Sequence, residues 1–371
     1  MTTVLRASGS AEFLGIVPSL VGFTPVESLV LIPFHASRAS GAMRLDLPRD
    51  EIDLAEYADT ATALVARVER TDAVAVVVYT DDDVVRTPDG LVLPFAVEVE
   101  AIIGCALDAG LRLVDALCVT PSGWAGYLDD APLLGDLGDL DPGDREIPGV
   151  GDVSGDQTSG ADLPHADLAR TERVGRALDH IATLIDRGGE PPTPHDDPQA
   201  LAALVLLEDI PAFFESVLAA PDDLPAYAVA ALLWCLDRPL FRDVALAQWG
   251  SDLRGGIRTL NAQLAFADTG APISADIGDV FLGRGPTPDP DRLRRALAVS
   301  RTAAAAAPRA SRAAPLTAAA WLSWALGRSS HAARYLELVR DIDPHYGLAG
   351  LLDTMIGVAV LPEWAFRRST T

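Results

Sequence analysis

The chain has 371 residues, of which 49% are hydrophobic and 22% are charged, a composition typical of a globular protein with two or three domains. The net charge of −24 disfavours bulk electrostatic binding to nucleic acid or to anionic membranes. Every basic residue is arginine, which excludes mechanisms that need a lysine, such as a Walker-A phosphate loop or a pyridoxal Schiff base.

A short helix and a buried strand are predicted at the start of the chain. Ser10 can cap a helix that Gly22 ends, because the apolar residues between them recur at three- and four-residue spacing. The run from Ser28 to Ile32 is apolar at nearly every position, which is typical of a strand covered on both faces.

The block from Leu5 to Ile32 resembles the opening of a large family of uncharacterised actinobacterial proteins, known only as a domain of unknown function. The segment Gly123-Trp124-x-x-Tyr127, the Arg242-Asp243 pair and the C-terminal tryptophan-rich helices recur in that family in this order. The resemblance implies a shared fold over most of the chain. It implies no activity.

The sequence pattern of residues 1–134 predicts an α/β domain with a mixed, mostly parallel sheet covered by helices. Met43 to Leu47 alternate as a strand that can form a hairpin with the first strand, and Ala73 to Tyr79 form a second buried strand after a helix. Another helix from Pro94 and a strand from Leu111 to Val119 repeat the order, which predicts parallel crossovers.

The second half of the chain predicts an α-helical domain over residues 162–371. Residues 135–161 precede it as a linker, since Gly135 to Gly160 contain seven glycines and seven acidic residues with little periodic apolar content. The spacing of apolar residues after Gly327 resembles half of a tetratricopeptide repeat, so residues 315–361 are expected to form a tetratricopeptide-like hairpin and a following helix.

Three carboxylates follow a buried strand directly and form the first candidate site. Asp81 and Asp83 lie where open α/β sheets place their ligands, and Glu27 can join them if its strand lies alongside. Such carboxylates can hold Mg²⁺ and a phosphate. The alternative is a solvated turn with an acidic cap.

The strongest charge asymmetry is a run of arginines without any acidic residue between positions 292 and 312. Two functions fit it: a docking face for an acidic partner or a phosphate-bearing ligand, or an internal dock for the acidic linker. A solvated helix face is the structural alternative. Trp124 is a further binding candidate if it faces a groove. The arginines in this run are Arg292, Arg294, Arg295, Arg301, Arg309 and Arg312.

These patterns favour a cytoplasmic binding or scaffold protein that takes a protein partner and needs no cofactor. The start of the chain lacks the basic segment and the apolar core of a signal peptide, and no apolar stretch is long enough to cross a membrane. The alternative is a metal-dependent enzyme acting on a phosphate-containing small molecule. A third hypothesis is a regulatory protein that contacts nucleic acid through Arg292 to Arg312, although the overall charge disfavours it.

Overall fold

The computed structural model describes residues 7–48, 52–88, 90–140, 153–188 and 191–367. The chain divides into two compact units, one of residues 1–159 with 366–371 and one of residues 160–365. Within the described ranges, no helix combines the length and the apolar character needed to cross a bilayer.

The first unit is an α/β unit built around one mixed sheet, with a separate two-stranded hairpin. Its helices and strands are α1 (Ser10–Val21), β1 (Ser28–His35), β2 (Arg38–Ala39), β3 (Met43–Asp46), α2 (Leu54–Ala66), β4 (Ala73–Tyr79), β5 (Val85–Thr87), β6 (Gly90–Val92), α3 (Ala96–Asp108), β7 (Arg112–Thr120) and β8 (Gly123–Gly126).

The main sheet is mixed, as predicted, but it is not mostly parallel. Strand β1 pairs antiparallel with β2 and β3 on one side and with β4 on the other, while β7 and β8 pair antiparallel. Among the strands that the structure describes, only β4 and β7 pair in parallel. The predicted hairpin of β1 and β3 is confirmed. Strand β1 lies between β3 and β4. The connection from β3 through α2 to β4 therefore passes over β1 and does not join two neighbouring parallel strands.

The central strand β4 is buried on both faces, which explains why it is apolar throughout. Val74, Val76 and Val78 point into a core formed with α2 and α3. The alternate residues of the strand, among them Val77 and Tyr79, point into a second core formed with α1. Helices therefore cover the sheet on both sides, and polar chemistry is confined to the strand ends and the loops.

The described parts of the predicted linker are bonded within the α/β unit. Gly135 forms an antiparallel bridge with Trp124, and a 3-10 helix, Leu137–Leu140, packs against α1. Farther along, the backbone and side chain of Thr24 donate hydrogen bonds to Gly155 O at 2.8 Å and to Val153 O at 2.7 Å. The linker prediction is therefore wrong for these two parts, and residues 141–152 lie outside the described residues.

The second unit is helical, as predicted. Its helices are α4 (Leu168–Asp186), α5 (Pro198–Leu207), α6 (Ile210–Ser216), α7 (Ala226–Leu236), α8 (Pro239–Trp249), α9 (Leu253–Thr269), α10 (Ala275–Asp279), α11 (Pro290–Ala306), α12 (Ala313–Ala325), α13 (Ser329–Arg340) and α14 (Gly347–Gly357). Several begin at an aspartate whose carboxylate accepts a backbone N–H of the first turn, which accounts for part of the acidic composition.

Helix α12 is the centre of the helical unit. All of its residues are buried, and it packs against α11 on one side and α13 on the other. A helix that is apolar all round has no surface left for solvent or a partner. Any recognition by this part of the chain therefore falls to the outer surfaces of α11 and α13 and to the turns beside them.

Candidate functional site

The acidic candidate lies at one end of the sheet, and the structure brings its members together. Ser28 at the start of β1 pairs with Tyr79 at the end of β4, so Glu27 and Asp81 are neighbours. The Glu27 carboxylate accepts a hydrogen bond from the backbone N–H of Asp81. Glu27 was expected to join the site if its strand lay beside the strand that precedes Asp81, and the structure meets this condition.

Two of the three carboxylates at this edge, those of Glu27 and Asp83, accept hydrogen bonds of the loops. Asp83 accepts bonds from the Ser122 hydroxyl and, at 2.8 Å, from the backbone N–H of Val84, and these bonds lower the pKa of Asp83. Within the described ranges, no three His, Cys, Asp or Glu side chains are arranged to hold a metal ion. The geometry supports the solvated, capped turn better than the magnesium site.

A metal titration separates these two interpretations. We expect millimolar Mg²⁺ or Mn²⁺ to leave the melting temperature of the full chain unchanged, because Glu27 and Asp83 already serve as acceptors for the loops. A ligand that binds the native state raises its stability by mass action. A metal-dependent rise that Asp81→Asn and Asp83→Asn together remove would restore the enzyme hypothesis.

Trp124 is partly buried, and the chain at Gly135 packs against its indole. The residue exchanges backbone hydrogen bonds with Gly135 at 2.8 and 3.2 Å. A Cβ on Gly135 would lie 2.3 Å from the indole nitrogen of Trp124, so only glycine permits this approach. The indole packs against the core on the α1 side of the sheet, and its environment supports a structural role.

The Arg242-Asp243 pair of the family pattern is internal to the helical unit. The Arg242 guanidinium donates to Asp243 Oδ1 at 2.9 and 3.1 Å and to the Tyr346 hydroxyl at 3.4 Å. Burial raises the pKa of Asp243, and the charge of Arg242 opposes that rise. The two residues satisfy each other, which is the expected behaviour of a charged pair within apolar helices.

Five of the six arginines in the acid-free run are bonded to the protein itself. Arg292 makes a two-pronged ion pair with Glu215 and two hydrogen bonds of 3.1 Å to Gln248 O. Arg309 and Arg312 donate to the backbone carbonyls of Asp341 and Ala307, both at 2.9 Å. Arg292 therefore does not belong to a docking face, and fewer arginines remain for a nucleic-acid backbone.

Two more of them, Arg294 and Arg301, act electrostatically on a third arginine, Arg328, which the sequence analysis did not single out. Partial burial lowers the pKa of Arg328, and the positive charges of Arg294 and Arg301 lower it further. Arg294 pairs with Asp291, and Arg301 donates to the backbone carbonyl of Asp162. In the described part of the chain, no carboxylate forms an ion pair with Arg328. We call Arg294, Arg301 and Arg328 the arginine cluster.

A buried hydroxyl and a helix start border the arginine cluster. Tyr335 is fully buried, and its hydroxyl has no hydrogen-bond partner among the described residues. Burial raises the pKa of Tyr335, while the charges of Arg301 and Arg328 lower it and the charge of Asp162 raises it. Arg328 directly precedes α13, whose first turn has no side-chain cap. The uncapped N–H groups add to the positive potential.

The sequence does hold a signal for Arg328 and Tyr335. An arginine immediately before a helix has the wrong charge for the helix dipole, which favours acidic or small polar residues at that end. Arg328 and Tyr335 are also seven residues apart, as are Arg294 and Arg301, so each pair shares a helix face. That the two faces meet depends on how α11 and α13 pack around α12.

The fold places the chain among proteins that join a helix-covered mixed sheet to a helical unit. Sequence comparison then identifies the family: a model described as a domain of unknown function, DUF4192, matches residues 11–276, and the chain belongs to this family. The comparison finds no similar protein of curated function and no similar solved structure. The match confirms the resemblance to a domain of unknown function, and the arginine cluster lies beyond the matched residues.

Proposed function

We propose that the protein is a binding protein whose helical unit takes up a phosphate-bearing ligand at the arginine cluster. The observation that carries the proposal is Arg328, which directly precedes α13 and has no carboxylate partner among the described residues. Asp291 already pairs with Arg294, whereas Arg328 keeps its positive charge without a countercharge in the described chain, which costs free energy unless an anion joins it. This arrangement is notable in a chain with a net charge of −24.

The groups around the arginine cluster suit a phosphate better than a single carboxylate. A guanidinium binds two phosphate oxygens through parallel N–H groups, and the start of a helix offers further donors. Together these groups can serve several acceptor oxygens, whereas a carboxylate has only two.

The packing of the C-terminal hairpin restricts which surface can meet a partner. Helices α12 and α13 are adjacent, as expected for a tetratricopeptide-like hairpin, and we infer a scaffold role for this pair. Because α12 is buried throughout, partner contacts fall on α13 and on the turn that carries Arg328. We also propose, from the sequence analysis, that the protein is cytoplasmic and actinobacterial and that it engages a protein partner.

Calorimetric titration of the full chain with tripolyphosphate tests the proposal. We expect Arg328→Gln to weaken binding by about tenfold or more, since hydrogen bonds to charged groups contribute about 1.5–3 kcal/mol each. The melting temperature should stay unchanged or rise, because the substitution also removes like-charge repulsion. A phosphoserine peptide in a second titration distinguishes a phosphoprotein partner from a small phosphate ligand.

The matched control is Arg334→Gln on the outer face of the same helix. Arg334 is exposed and pairs with Glu337 at 2.9 Å, away from the arginine cluster. This variant should bind tripolyphosphate with the affinity of the unmodified chain. Equal binding by the Arg328→Gln variant, or the absence of binding by the unmodified chain at low salt, would overturn the proposal.

A further inference from the structure

Helix α9 carries an apolar stripe that other described parts of the chain cover only in part, at Leu260, which packs against the core of the helical unit. Leu253, Ile257, Leu260 and Leu264 follow one another at spacings of four, three and four residues, which places them on one face of the helix. Leu253, Ile257 and Leu264 are 39%, 42% and 48% exposed. A run of large aliphatic side chains left in water along one helix is a feature of interaction surfaces.

A different face of α9, roughly a third of a turn from the stripe, packs against the helical unit. Gly255, Gly256 and Thr259 are buried there. A Cβ on Gly256 would lie 2.0 Å from the amide oxygen of Gln248 in α8, so the two helices approach closely on this side. The apolar stripe is therefore not the core-facing side of α9.

The charges beside the stripe indicate what covers it. Arg254, Asn261 and Asp268 are seven residues apart and run along one flank of the stripe. Arg254 lies in the first turn and Asp268 in the last, so both have the sign that the helix dipole disfavours. Neither forms an ion pair with any other residue that the structure describes. Within one chain, these two charges therefore contribute no ion pair with a described residue and no favourable interaction with the helix dipole.

The same charges become complementary when two copies of α9 pair in opposite directions. With Asn261 at the centre, Arg254 of each copy lies opposite Asp268 of the other, and each arginine meets the negative end of the second helix. The aliphatic side chains then meet in the seam, in the spacing that helix pairs use. A twofold axis through the centre makes the contact self-complementary.

We propose that the protein forms a homodimer through antiparallel pairing of the α9 apolar stripes. A helix of 17 residues is about 25 Å long, so the contact is smaller than that of most permanent dimers. We therefore expect reversible association, with a dissociation constant on the order of micromolar to tens of micromolar. This dimer is independent of the arginine cluster and its ligand.

Sedimentation equilibrium of the full chain and of two charge reversals tests the dimer and its direction. Arg254→Asp and Asp268→Arg should each raise the dissociation constant by about tenfold, because each places like charges opposite each other twice. The double variant should restore dimerisation, since the complementary pairs return with their signs exchanged. Each reversal gives its own helix end the charge that the dipole favours, so monomer stability should not fall.

Apolar substitutions provide the second arm of the experiment. Ile257→Gln with Leu264→Gln should abolish the dimer, while Leu351→Gln on α14, at a position 66% exposed, should leave it intact. A chain that stays monomeric at several hundred micromolar would refute the proposal. So would a dimer that the Ile257 and Leu264 substitutions leave unchanged, or single charge reversals without effect.

Discussion

Replacing Trp324 with alanine is expected to lower the unfolding free energy of the helical unit by about 3–5 kcal/mol. Trp324 is fully buried on α12, and its ring lies 6.4 Å from the rings of both Trp321 and Trp364. The indole N–H donates to Val360 O at 2.7 Å. The substitution therefore opens a cavity and leaves a carbonyl without its donor.

The surroundings of Trp324 have little freedom to fill that cavity. A Cβ on Gly283 would lie 2.8 Å from the indole and 2.5 Å from the backbone of Pro362, which shows how closely the segments pack. The loss of packing should therefore approach the upper part of the range for large aromatic side chains. The loop at Gly283 and the segment at Val360 should both lose order along with the ring.

Guanidinium unfolding followed by tryptophan fluorescence measures this effect. Five of the six tryptophans, all except Trp124, lie in residues 160–365, so the signal reports mainly on the helical unit. Leu351→Ala is the control, because truncation of an exposed side chain changes stability by about 0.5 kcal/mol or less. A loss below about 1 kcal/mol for Trp324→Ala would mean that the tryptophan cluster does not hold the unit together.

Replacing Arg292 with glutamine is expected to cost about 2 kcal/mol of unfolding free energy at neutral pH. Only 14% of the Arg292 side chain is exposed, and its guanidinium bonds both Glu215 and the backbone carbonyl of Gln248. Its loss leaves a half-buried carboxylate without its countercharge. Arg295→Gln is the matched control, since Arg295 is exposed and has no bonded partner in the described chain.

The same ion pair predicts how the effect depends on pH. Hydrogen bonds from Arg292 and Gln248 hold the pKa of Glu215 below its usual value of 4.5. The stabilisation is complete above that value and is lost as the pH falls through the lowered pKa of the folded state. The difference between the unmodified chain and the Arg292→Gln variant should therefore shrink below about pH 4.5. A difference that stays constant across this range would show that packing, not charge, carries the effect.

Local patterns in the sequence were sufficient for some of the elements of this protein. The strand from Ala73 to Tyr79 follows from its continuous apolar run, which depends on neighbours in the chain. The prediction that Ser10 caps the first helix is wrong, because Gly9 is the N-cap and the Ser10 hydroxyl, inside the helix, donates to Asp115 at 2.8 Å. The order of the strands did not follow, since the insertion of β1 between β3 and β4 is a choice among sheet edges that look alike in sequence.

The roles of the side chains likewise followed partly from the sequence and partly from the tertiary structure alone. The sequence determined by itself a helix-covered mixed sheet followed by helices, the absence of lysine and the concentration of arginine after Asp291. Only the tertiary structure decided that Arg292 is an internal ion-pair partner and that Arg294 and Arg301 act electrostatically on Arg328. The physical reason is that these partners are far apart in the sequence and are brought together by packing. Local sequence determines only short-range pairs, such as Arg294 with Asp291.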